Sequence, residues 1–440
     1  MTDIELLINA RWVIPVEPDG CLAHHSVAIH QGRILEVLPT AVAATGYKAQ
    51  QTVDLPDQAL IPGLINAHTH AAMGLFRGLA DDLPLMEWLK NHIWPAESRW
   101  VSPQFVSDGA QLAVAEMLKG GTTCFSDMYF FPESCAPVVR RAGMRACLGM
   151  ILIDFPSAYA DSAAGYLDKG LRLHDELRGN ELVTVAFAPH APYSVSDEPL
   201  ARVRTLNAEL GLPVHMHIHE TAHEVEDALV STGRRPLARL QELDLLGPNL
   251  VAVHMTQLLP EEIALLARTG VSVVHCPESN MKLASGFCPV SALLQAGVNV
   301  ALGTDGAASN NDLDMLGEMR TAALLAKAVS ADATALPASQ ALRMATLNGA
   351  RALGLESVTG SISHGKYADL VAIDLTRLSS QPVYDPVSQI VYTASREQVT
   401  DVWVAGRRLL NGGRLTSLDE SEILHRARDW GDRIGRQPGP

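Results

Sequence analysis

The chain has 440 residues, of which 47% are hydrophobic and 19% charged, so it is long enough for one large domain and an accessory one. Its net charge is −15 and it has no cluster of lysine and arginine, which argues against nucleic acid as a partner. The N-terminal stretch MTDIELLINARWVIPVEPDG lacks the features of a secretory signal, and no run approaches the roughly 18 uninterrupted apolar residues of a membrane span. Six cysteines without CxxC spacing are typical of a reducing compartment, so we expect a cytoplasmic protein that does not bind membranes.

Both ends of the chain have the pattern of short strands. Residues 1–57 contain IELLINARWVIPV and SVAIHQGRILEVLP, and ADLVAIDL and VTDVWVAGRRLLNGG have the same character near the C-terminus. Because these ends flank a different middle, we predict that residues 1–57 and 366–420 form one small β-sandwich domain. We expect residues 421–440 to form a C-terminal helix or tail.

Residues 58–365 alternate eight apolar, strand-like runs with amphipathic helical segments. The runs are ALIPGLINAHTH, GTTCFSDM, RACLGMILID, VTVAFAPHA, LPVHMHIHE, LVAVHMTQ, VSVVHCPESN and VNVALGTDG. Near-continuous apolar strands separated by helices indicate a parallel sheet that is covered on its outer face. Eight such units predict an α/β fold, a (β/α)8 TIM-type barrel with its chemistry at the C-terminal ends of the strands. A doubly wound open sheet is the alternative, but no GxGxxG motif follows any of these runs.

Polar residues end most of the predicted barrel strands. They are His68 and His70 on the first strand, His190 on the fourth, His215, His217, His219 and Glu220 on the fifth, His254 on the sixth, His275 on the seventh and Asp305 on the eighth. A single histidine of this kind is more often a hydrogen-bonded core residue than a ligand, but so many strand ends make coincidence a poor explanation.

Strand geometry turns this pattern into a predicted metal site. His68 and His70 are two residues apart, so their side chains point to the same face, toward the barrel axis. His217 and Asp305 would complete three nitrogens and one oxygen, a donor set suited to a divalent ion such as Zn²⁺ with one position left for water. Spacing alone leaves all three histidines of the fifth strand open as ligands. His217 is preferred because Glu220 would then reach the metal-bound water.

At this point the sequence resembles the amidohydrolase superfamily and, within it, the 5-methylthioadenosine/S-adenosylhomocysteine deaminase group of the TRZ/ATZ hydrolases. The resemblance covers nearly the whole chain. It is carried by PGLINAHTH, RGLADDLPLMEWL, GTTCFSDMY, APHAPYSVS, HIHET, HCPESNMKLASG, LGTDGAASNNDLDMLGEMR and GKYADLVAIDL. The HxH pair followed by TDG on the eighth strand is specific for the superfamily, and the MEWL and GTDGAASNN stretches narrow it to this group.

The resemblance implies a role for each candidate residue. It implies that four residues bind the metal: His68, His70, His217 and Asp305. Glu220 would be the proton shuttle, and His254 and Asp305 would contact the bound water or the intermediate. Glu97 would bind the ribose, His190 would contact the substrate, and Trp88 would form a wall near the nucleoside. Members of the superfamily with two metals bridge them with a carboxylated lysine on the fourth strand. VTVAFAPHAPYSV has no lysine, so one divalent ion is expected, Zn²⁺ first, with Fe²⁺, Mn²⁺ and Ni²⁺ as alternatives.

Several of these residues also have a purely structural interpretation. Glu97 would then be a surface helix residue, Trp88 ordinary core, and His190 a residue that fixes a proline-containing loop. We interpret four further residues as structural or inert: His215, His275, Cys276 and Cys288.

The leading functional hypothesis is hydrolytic deamination of an adenine nucleoside at purine C6, with release of ammonia. Metal-activated water would attack C6 while Glu220 carries a proton to N1. The alternative enzyme is a deaminase or hydrolase of a free base, pterin or triazine, on which Glu97 would have no ribose to bind. A third hypothesis, a non-catalytic relative, conflicts with the presence of all four ligands and Glu220. Association of identical chains is left open.

The run after the third barrel strand departs from the pattern of the resembled group. Members that accept S-adenosylhomocysteine carry arginines there for its carboxylate. In GMRACLGMILIDFPSAYADSAAGYLDKGL, Met150 stands where the first arginine would lie, and Arg145 begins the strand at the end away from the site. Met150 and Phe155 would suit an apolar 5′ substituent, so we expect methylthioadenosine and adenosine to be preferred over S-adenosylhomocysteine.

Overall fold

The structure is a computed structural model that describes residues 1–435. The strands in this range are β1 (Thr2–Val13), β2 (Leu22–His30), β3 (Arg33–Pro39), β4 (Tyr47–Pro62), β5 (Leu64–Thr69), β6 (Thr122–Asp127), β7 (Arg145–Leu152), β8 (Val183–Pro189), β9 (Val214–Ile218), β10 (Leu250–His254), β11 (Ser272–His275), β12 (Val300–Leu302), β13 (Leu370–Asp374), β14 (Val399–Val404), β15 (Arg407–Asn411) and β16 (Arg414–Leu415).

The helices of the same range lie mostly between the strands β5 to β13. They are α1 (Thr40–Gly46), α2 (Leu85–Trp88), α3 (Trp94–Trp100), α4 (Pro103–Lys119), α5 (Pro132–Ala142), α6 (Ala163–Leu177), α7 (Asp197–Leu210), α8 (Ala222–Thr232), α9 (Pro236–Glu242), α10 (Pro260–Thr269), α11 (Pro277–Lys282), α12 (Val290–Gln295), α13 (Met315–Ser330), α14 (Ala338–Met344), α15 (Leu347–Ala352), α16 (Pro386–Tyr392) and α17 (Glu420–Gly435). A π-helical turn, Leu89–Ile93, joins α2 to α3. None of the helices described here has the length and apolar character needed to cross a membrane.

Strands β5 to β12 form one parallel sheet in which each strand pairs with its neighbours in the sequence. Every residue of β5, β6 and β7 is buried, as expected for strands with side chains inside the barrel and helices outside. The sheet closes at a seam between β12 and β5. There the Asp305 N–H donates to the His68 carbonyl (3.0 Å), and the side chain of Asn66 accepts from the Thr304 N–H (3.0 Å). The predicted (β/α)8 barrel is confirmed.

The two chain ends form a second, mixed sheet in the order β16-β15-β14-β13-β4-β1-β2-β3. N-terminal β4 pairs antiparallel with C-terminal β13, so the predicted pairing of the two ends is confirmed. β4 runs past residue 57 and ends at Pro62. The domain boundaries at 57/58, 365/366 and 420/421 stay predictions. Of the expected C-terminal segment, residues 436–440 lie outside the described residues and the rest belongs to α17.

A buried ion pair joins the barrel to the terminal sheet. Arg145, at the start of β7, donates to Asp369 through Nε (3.0 Å) and Nη2 (3.3 Å), and both side chains are almost fully buried. Asp369 also accepts from the N–H of Ala405 (2.7 Å). Arg145 therefore pairs with the terminal sheet, at the end of β7 away from the candidate site.

Candidate active site

Four predicted metal ligands meet at the C-terminal end of the barrel. One donor atom from each of His68, His70, His217 and Asp305 lies within 4.8 Å of the other three. Nε2 of His68 is 3.1 Å from Nε2 of His217 and 3.2 Å from Oδ1 of Asp305, and Nε2 of His70 is 3.2 Å from the same oxygen. Four ligands about 2.0 Å from a tetrahedral zinc ion stand about 3.3 Å apart. The donor atoms therefore fit a small divalent ion.

Hydrogen bonds at Nδ1 aim each imidazole at this centre. His70 Nδ1 donates to the Met128 carbonyl (2.6 Å), and His217 Nδ1 donates to the His190 carbonyl (2.8 Å). His68 Nδ1 lies 2.9 Å from Nε2 of His215, whose own Nδ1 is 3.1 Å from the Ser126 hydroxyl. With Nδ1 protonated, each Nε2 presents a lone pair, which is the arrangement that a histidine ligand needs. Two such nitrogens 3.1 Å apart favour a cation between them.

Asp305 is held in one orientation. Its Oδ2 accepts from Ser279 (2.7 Å) and Ser309 (3.0 Å), which leaves Oδ1 facing His68 and His70. Since both hydroxyls are buried, the carboxylate is fixed by groups that water does not compete for.

The protonation of the cluster also favours a cation. Burial lowers the pKa of His68 to about 4 and that of His217 well below its ordinary value. Burial acts in the same direction on His70, but its hydrogen bond with Asp305, the Asp305 charge and its bond to the Met128 carbonyl together outweigh burial and raise the pKa of His70 to about 9. Burial would raise the pKa of Asp305, yet its hydrogen bonds with His68 and His70 hold that pKa well below the usual range. In the absence of an ion, one proton on His70 balances the Asp305 charge, and a metal ion would replace it.

Glu220 and His254 lie beside the four donors. Glu220 Oε2 is 3.8 Å from His254 Nε2, and its Oε1 is 3.5 Å from the Ser285 hydroxyl. His254 Nδ1 donates to Asn280 Oδ1 (2.8 Å), which turns Nε2 toward the centre of the site. Burial raises the pKa of Glu220, so this carboxyl group takes up a proton more readily than one in water. A buried carboxyl group next to a histidine and a metal-type donor set is suited to proton transfer.

The backbone conformation of β9 and of the turn after it determines which of its histidines faces the metal donors. His219 has a φ of 54°, which ends the strand alternation, and its ring accepts from the Leu237 N–H (3.2 Å) instead of facing the barrel axis. Glu224 accepts from the N–H groups of His219 (3.1 Å) and Glu220 (2.7 Å) and so fixes this turn. His215 does lie inside the barrel, one layer below His217, where it contacts His68. Of the three alternatives left open on this strand, His217 is the one that joins the donor cluster.

A cavity of about 610 Å³ opens above the cluster. Three of the predicted substrate residues, Glu97, His190 and Trp88, line it, as does Phe155. Burial raises the pKa of Glu97 to about 7, although the nearby Tyr129 hydroxyl and the charge of His70 act in the opposite direction. Among the described residues that line this cavity there is no lysine or arginine.

Met150 does not line the cavity, so its prediction as a substrate contact is wrong. Its side chain packs outward against Gly170 of α6, where an added Cβ would lie 2.7 Å from the Met150 Cβ. Residues of β7 alternate between barrel interior and helix layer, and the neighbouring Ile151 is the one that reaches the cavity. His275 points toward the helix layer, away from the donor cluster, and burial raises the thiol pKa values of Cys276 and Cys288.

The residues that orient the named side chains were not predicted from the sequence. Ser279 and Asn280 on α11, Ser309 after β12 and Glu224 on α8 all contact a predicted site residue. A weak signal was available for α11, because Ser279 and Asn280 are polar residues in its first turn directly after the end of a barrel strand.

Comparison with known proteins agrees with this geometry. A model described as the amidohydrolase family matches residues 59–409. The chain is 51% identical over 437 residues to the 5-methylthioadenosine/S-adenosylhomocysteine deaminase of Saccharophagus degradans, which covers 99% of this chain and 98% of that protein. It is 54% identical to a solved adenosine deaminase from Xanthomonas campestris with bound zinc, with a TM-score of 0.98 and coverage of 99% of this chain and 100% of that one.

A more distant structure shares the fold. Atrazine chlorohydrolase from Arthrobacter aurescens, complexed with zinc, is 22% identical, with a TM-score of 0.90 over 97% of this chain and 99% of that one. Since the family model spans far more than half of the residues and full-length relatives exceed 50% identity, the chain belongs to the amidohydrolase family.

Proposed function

We propose that this amidohydrolase deaminates adenine nucleosides, replacing the C6 amino group with oxygen and releasing ammonia. The observation that carries the proposal is the convergence of four metal donors, Glu220 and His254 at the base of one cavity. The activities in the names of the relatives, which are adenosine, methylthioadenosine and adenosylhomocysteine deamination, support the choice of substrate. We assign the activity to the cytoplasm, where the six free cysteines would stay reduced.

His68, His70, His217 and Asp305 would hold one divalent ion, for which zinc is our first choice. A bound ion of this kind acidifies water and so supplies hydroxide near neutral pH. The β8 segment Val183–Pro189 contains no lysine that could bridge a second ion. The donor set therefore supports a single-metal site.

Glu220 moves the proton. Its raised pKa suits a group that takes a proton from the attacking water and delivers it to purine N1. His254, whose Nδ1 donates to Asn280, would present the lone pair of Nε2 to the hydroxyl group that forms at C6 and orient it by accepting its hydrogen bond. Glu220 then takes the remaining proton from the C6 hydroxyl and passes it to the amine, so that the C6–N bond breaks, ammonia leaves and a C6 carbonyl remains.

The cavity wall would bind the nucleoside. Glu97 would accept hydrogen bonds from the ribose hydroxyls, Trp88 would cover one face of the substrate, and His190 would contact the purine side. The 5′ substituent would then lie against Ile151, Ile153 and Phe155. A carboxylate there would lose its hydration without meeting a cation among the described lining residues. We therefore expect kcat/KM for methylthioadenosine and adenosine to exceed that for S-adenosylhomocysteine by about tenfold or more.

The test is ammonia release by the zinc-loaded protein from adenosine, methylthioadenosine and S-adenosylhomocysteine, with adenine, guanine and pterin as matched free bases. We expect release from the nucleosides in the order given above and none from the free bases. Preferential release from a free base would overturn the assignment of Glu97 to ribose. No release from any of the six would overturn the proposed activity.

A further inference from the structure

A second cavity, of about 310 Å³, lies outside the barrel wall between β11 and the helices α12 and α13. Its walls are mostly apolar and include Val290 and Ala292 of α12 and Ala326 and Val329 of α13. None of the described residues that line it carries a charge at neutral pH. It opens to the surface at α13, where Val329 is 48% exposed. A cavity of this size and polarity suits a small uncharged molecule.

The polar group in this cavity is His275, the last residue of β11. Val274 belongs to the apolar cluster inside the barrel, so strand alternation turns His275 outward to the helices. The side chain is only 1% exposed, and within residues 1–435 its Nδ1 has no hydrogen-bond partner. Burial lowers the pKa of His275 to about 3, so the ring is neutral and can accept a hydrogen bond. Buried polar groups in native proteins are normally paired, whereas this ring, which lines the second cavity, has a nitrogen without a partner among the described residues.

Two chain segments lead from this cavity to the catalytic groups. The first is α11, which follows His275. It contains Ser279, whose hydroxyl donates to Asp305 (2.7 Å), and Asn280, whose side-chain oxygen accepts from His254 (2.8 Å).

The second segment is the loop 283–290. Cys288 and Val290 line the second cavity, whereas Leu283 lines the catalytic one and Ser285 lies 3.5 Å from Glu220. At Gly286, where φ is +132°, a Cβ would come within 2.5 Å of Gln257, so this loop packs closely on its support. These two segments therefore connect the second cavity to groups that contact Glu220, His254 and Asp305.

We infer that the second cavity is an effector site for a small, uncharged molecule with an apolar ring and one N–H or O–H group, which binds beside His275 and lowers the turnover number. The occupant would donate its hydrogen bond to the imidazole and fill the apolar space between α12 and α13. By pressing on His275 and the loop 283–290 it would shift Asn280 and Ser285 from the positions that orient His254 and Glu220.

The test uses the zinc-loaded full chain with indole as the probe and 1-methylindole, which lacks the N–H donor, as the matched control. We expect a crystal soaked in indole to show the ring beside His275. We also expect indole to lower kcat for adenosine about fivefold at saturation with KM unchanged. 1-Methylindole should bind about fivefold more weakly, the usual net worth of one hydrogen bond.

Variants of α13 separate this site from the catalytic cavity. Ala326→Phe fills the second cavity and should abolish indole binding, whereas Ala328→Phe, on the exposed face of the same helix, should keep it. If Ala326→Phe does not fold, Val329→Trp, at the exposed rim of the second cavity, replaces it as the variant that should block indole binding. The inference is overturned if the soaked crystal shows only water beside His275, if indole competes with substrate, or if indole acts equally on Ala326→Phe. The soak and a thermal-shift titration need no turnover, so they remain decisive even if the proposed deaminase activity is absent.

Discussion

Glu220 follows β9 at the edge of the donor cluster, and its carboxylate faces His254. Glu220→Gln keeps the shape of the side chain but cannot carry a proton. We expect the metal content to stay near one ion per chain and kcat to fall about 10²-fold or more. Metal analysis and the ammonia assay measure the two quantities. Glu226→Gln, on the exposed face of α8, is the matched control and should change neither. Activity of E220Q within about threefold of the parent would remove Glu220 from the proton path.

The three histidines of β9 and the turn after it offer a second test at this scale. His217→Ala removes a donor and should abolish tight metal binding. His215→Ala removes only the partner of His68 Nδ1, so we expect metal affinity to fall about 10–100-fold without being lost. His219→Ala should leave metal affinity unchanged, because its ring contacts the Leu237 N–H. Equilibrium competition with a chelator gives the three values, and a metal-free H219A protein would contradict this placement.

The raised pKa of His70 predicts how metal binding depends on pH. With a pKa of about 9 in the metal-free protein, His70 is protonated at pH 7 and must lose that proton when an ion binds to Nε2. Metal affinity should therefore rise about tenfold per pH unit from pH 7 and level off as the pH passes the pKa. Calorimetry in buffers of different ionisation enthalpy should show about one proton released per ion at pH 7. Affinity that is independent of pH from 7 to 9 would show that His70 is already neutral.

At the residue scale the sequence predicted side chains that follow from strand periodicity and missed those that follow from the path of the backbone. His68 and His70 share a face because they are two residues apart. Met150 was assigned to the wrong face because a linear sequence does not tell which parity of β7 points inward. The carbonyls of Met128 and His190, which aim the ligand rings, come from residues that directly follow β6 and β8, and the backbone contact leaves no signal in the type of side chain.

At the scale of elements, β7 and the loop that follows it line the catalytic cavity where we propose that the 5′ substituent lies. Phe155 lines the cavity and is 46% exposed, so an arginine there would reach a substrate carboxylate without being buried. We expect Phe155→Arg to raise kcat/KM for S-adenosylhomocysteine about tenfold relative to methylthioadenosine. Met150→Arg is the contrasting variant: it should lower stability, since its side chain would be forced against Gly170, and leave the preference unchanged. Steady-state kinetics with both nucleosides measures the change in preference. A higher relative kcat/KM for S-adenosylhomocysteine in M150R but not in F155R would show that position 150, and not position 155, faces the substrate.

Some elements were predictable and others were not. All eight barrel strands were found because each is a continuous apolar run bounded by turns or helices. The segment α2–α3 with its π-helical turn was not, although it carries Trp88 and Glu97. Its apolar side chains face the cavity instead of a helix neighbour, so periodicity alone does not distinguish it from an ordinary surface helix.

For the whole molecule, the contact between the two sheets includes the buried pair of Arg145 and Asp369. Asp369→Ala would leave a buried guanidinium without its partner, so we expect the free energy of unfolding to fall by about 3–5 kcal/mol. Glu420→Ala breaks the half-exposed pair with Lys119 and should cost less than about 1 kcal/mol. Urea unfolding of the metal-loaded proteins compares them. Equal losses in the two variants would show that the buried pair does not stabilise the contact between the sheets.

A metal ion at the candidate site would link the first and last strands of the barrel. His68 and His70 belong to β5 and its end, and Asp305 follows β12, so these three ligands stand on opposite sides of the seam. Within residues 1–435 the seam has no ladder of strand pairing and is held by single bonds such as that from Asp305 to His68. An ion bound here would cross-link β5 to the segment after β12 and so stabilise the closed barrel. We therefore expect loss of the ion to loosen the barrel at this seam, so that among the buried amides of the barrel those at the seam would exchange first in the metal-free chain.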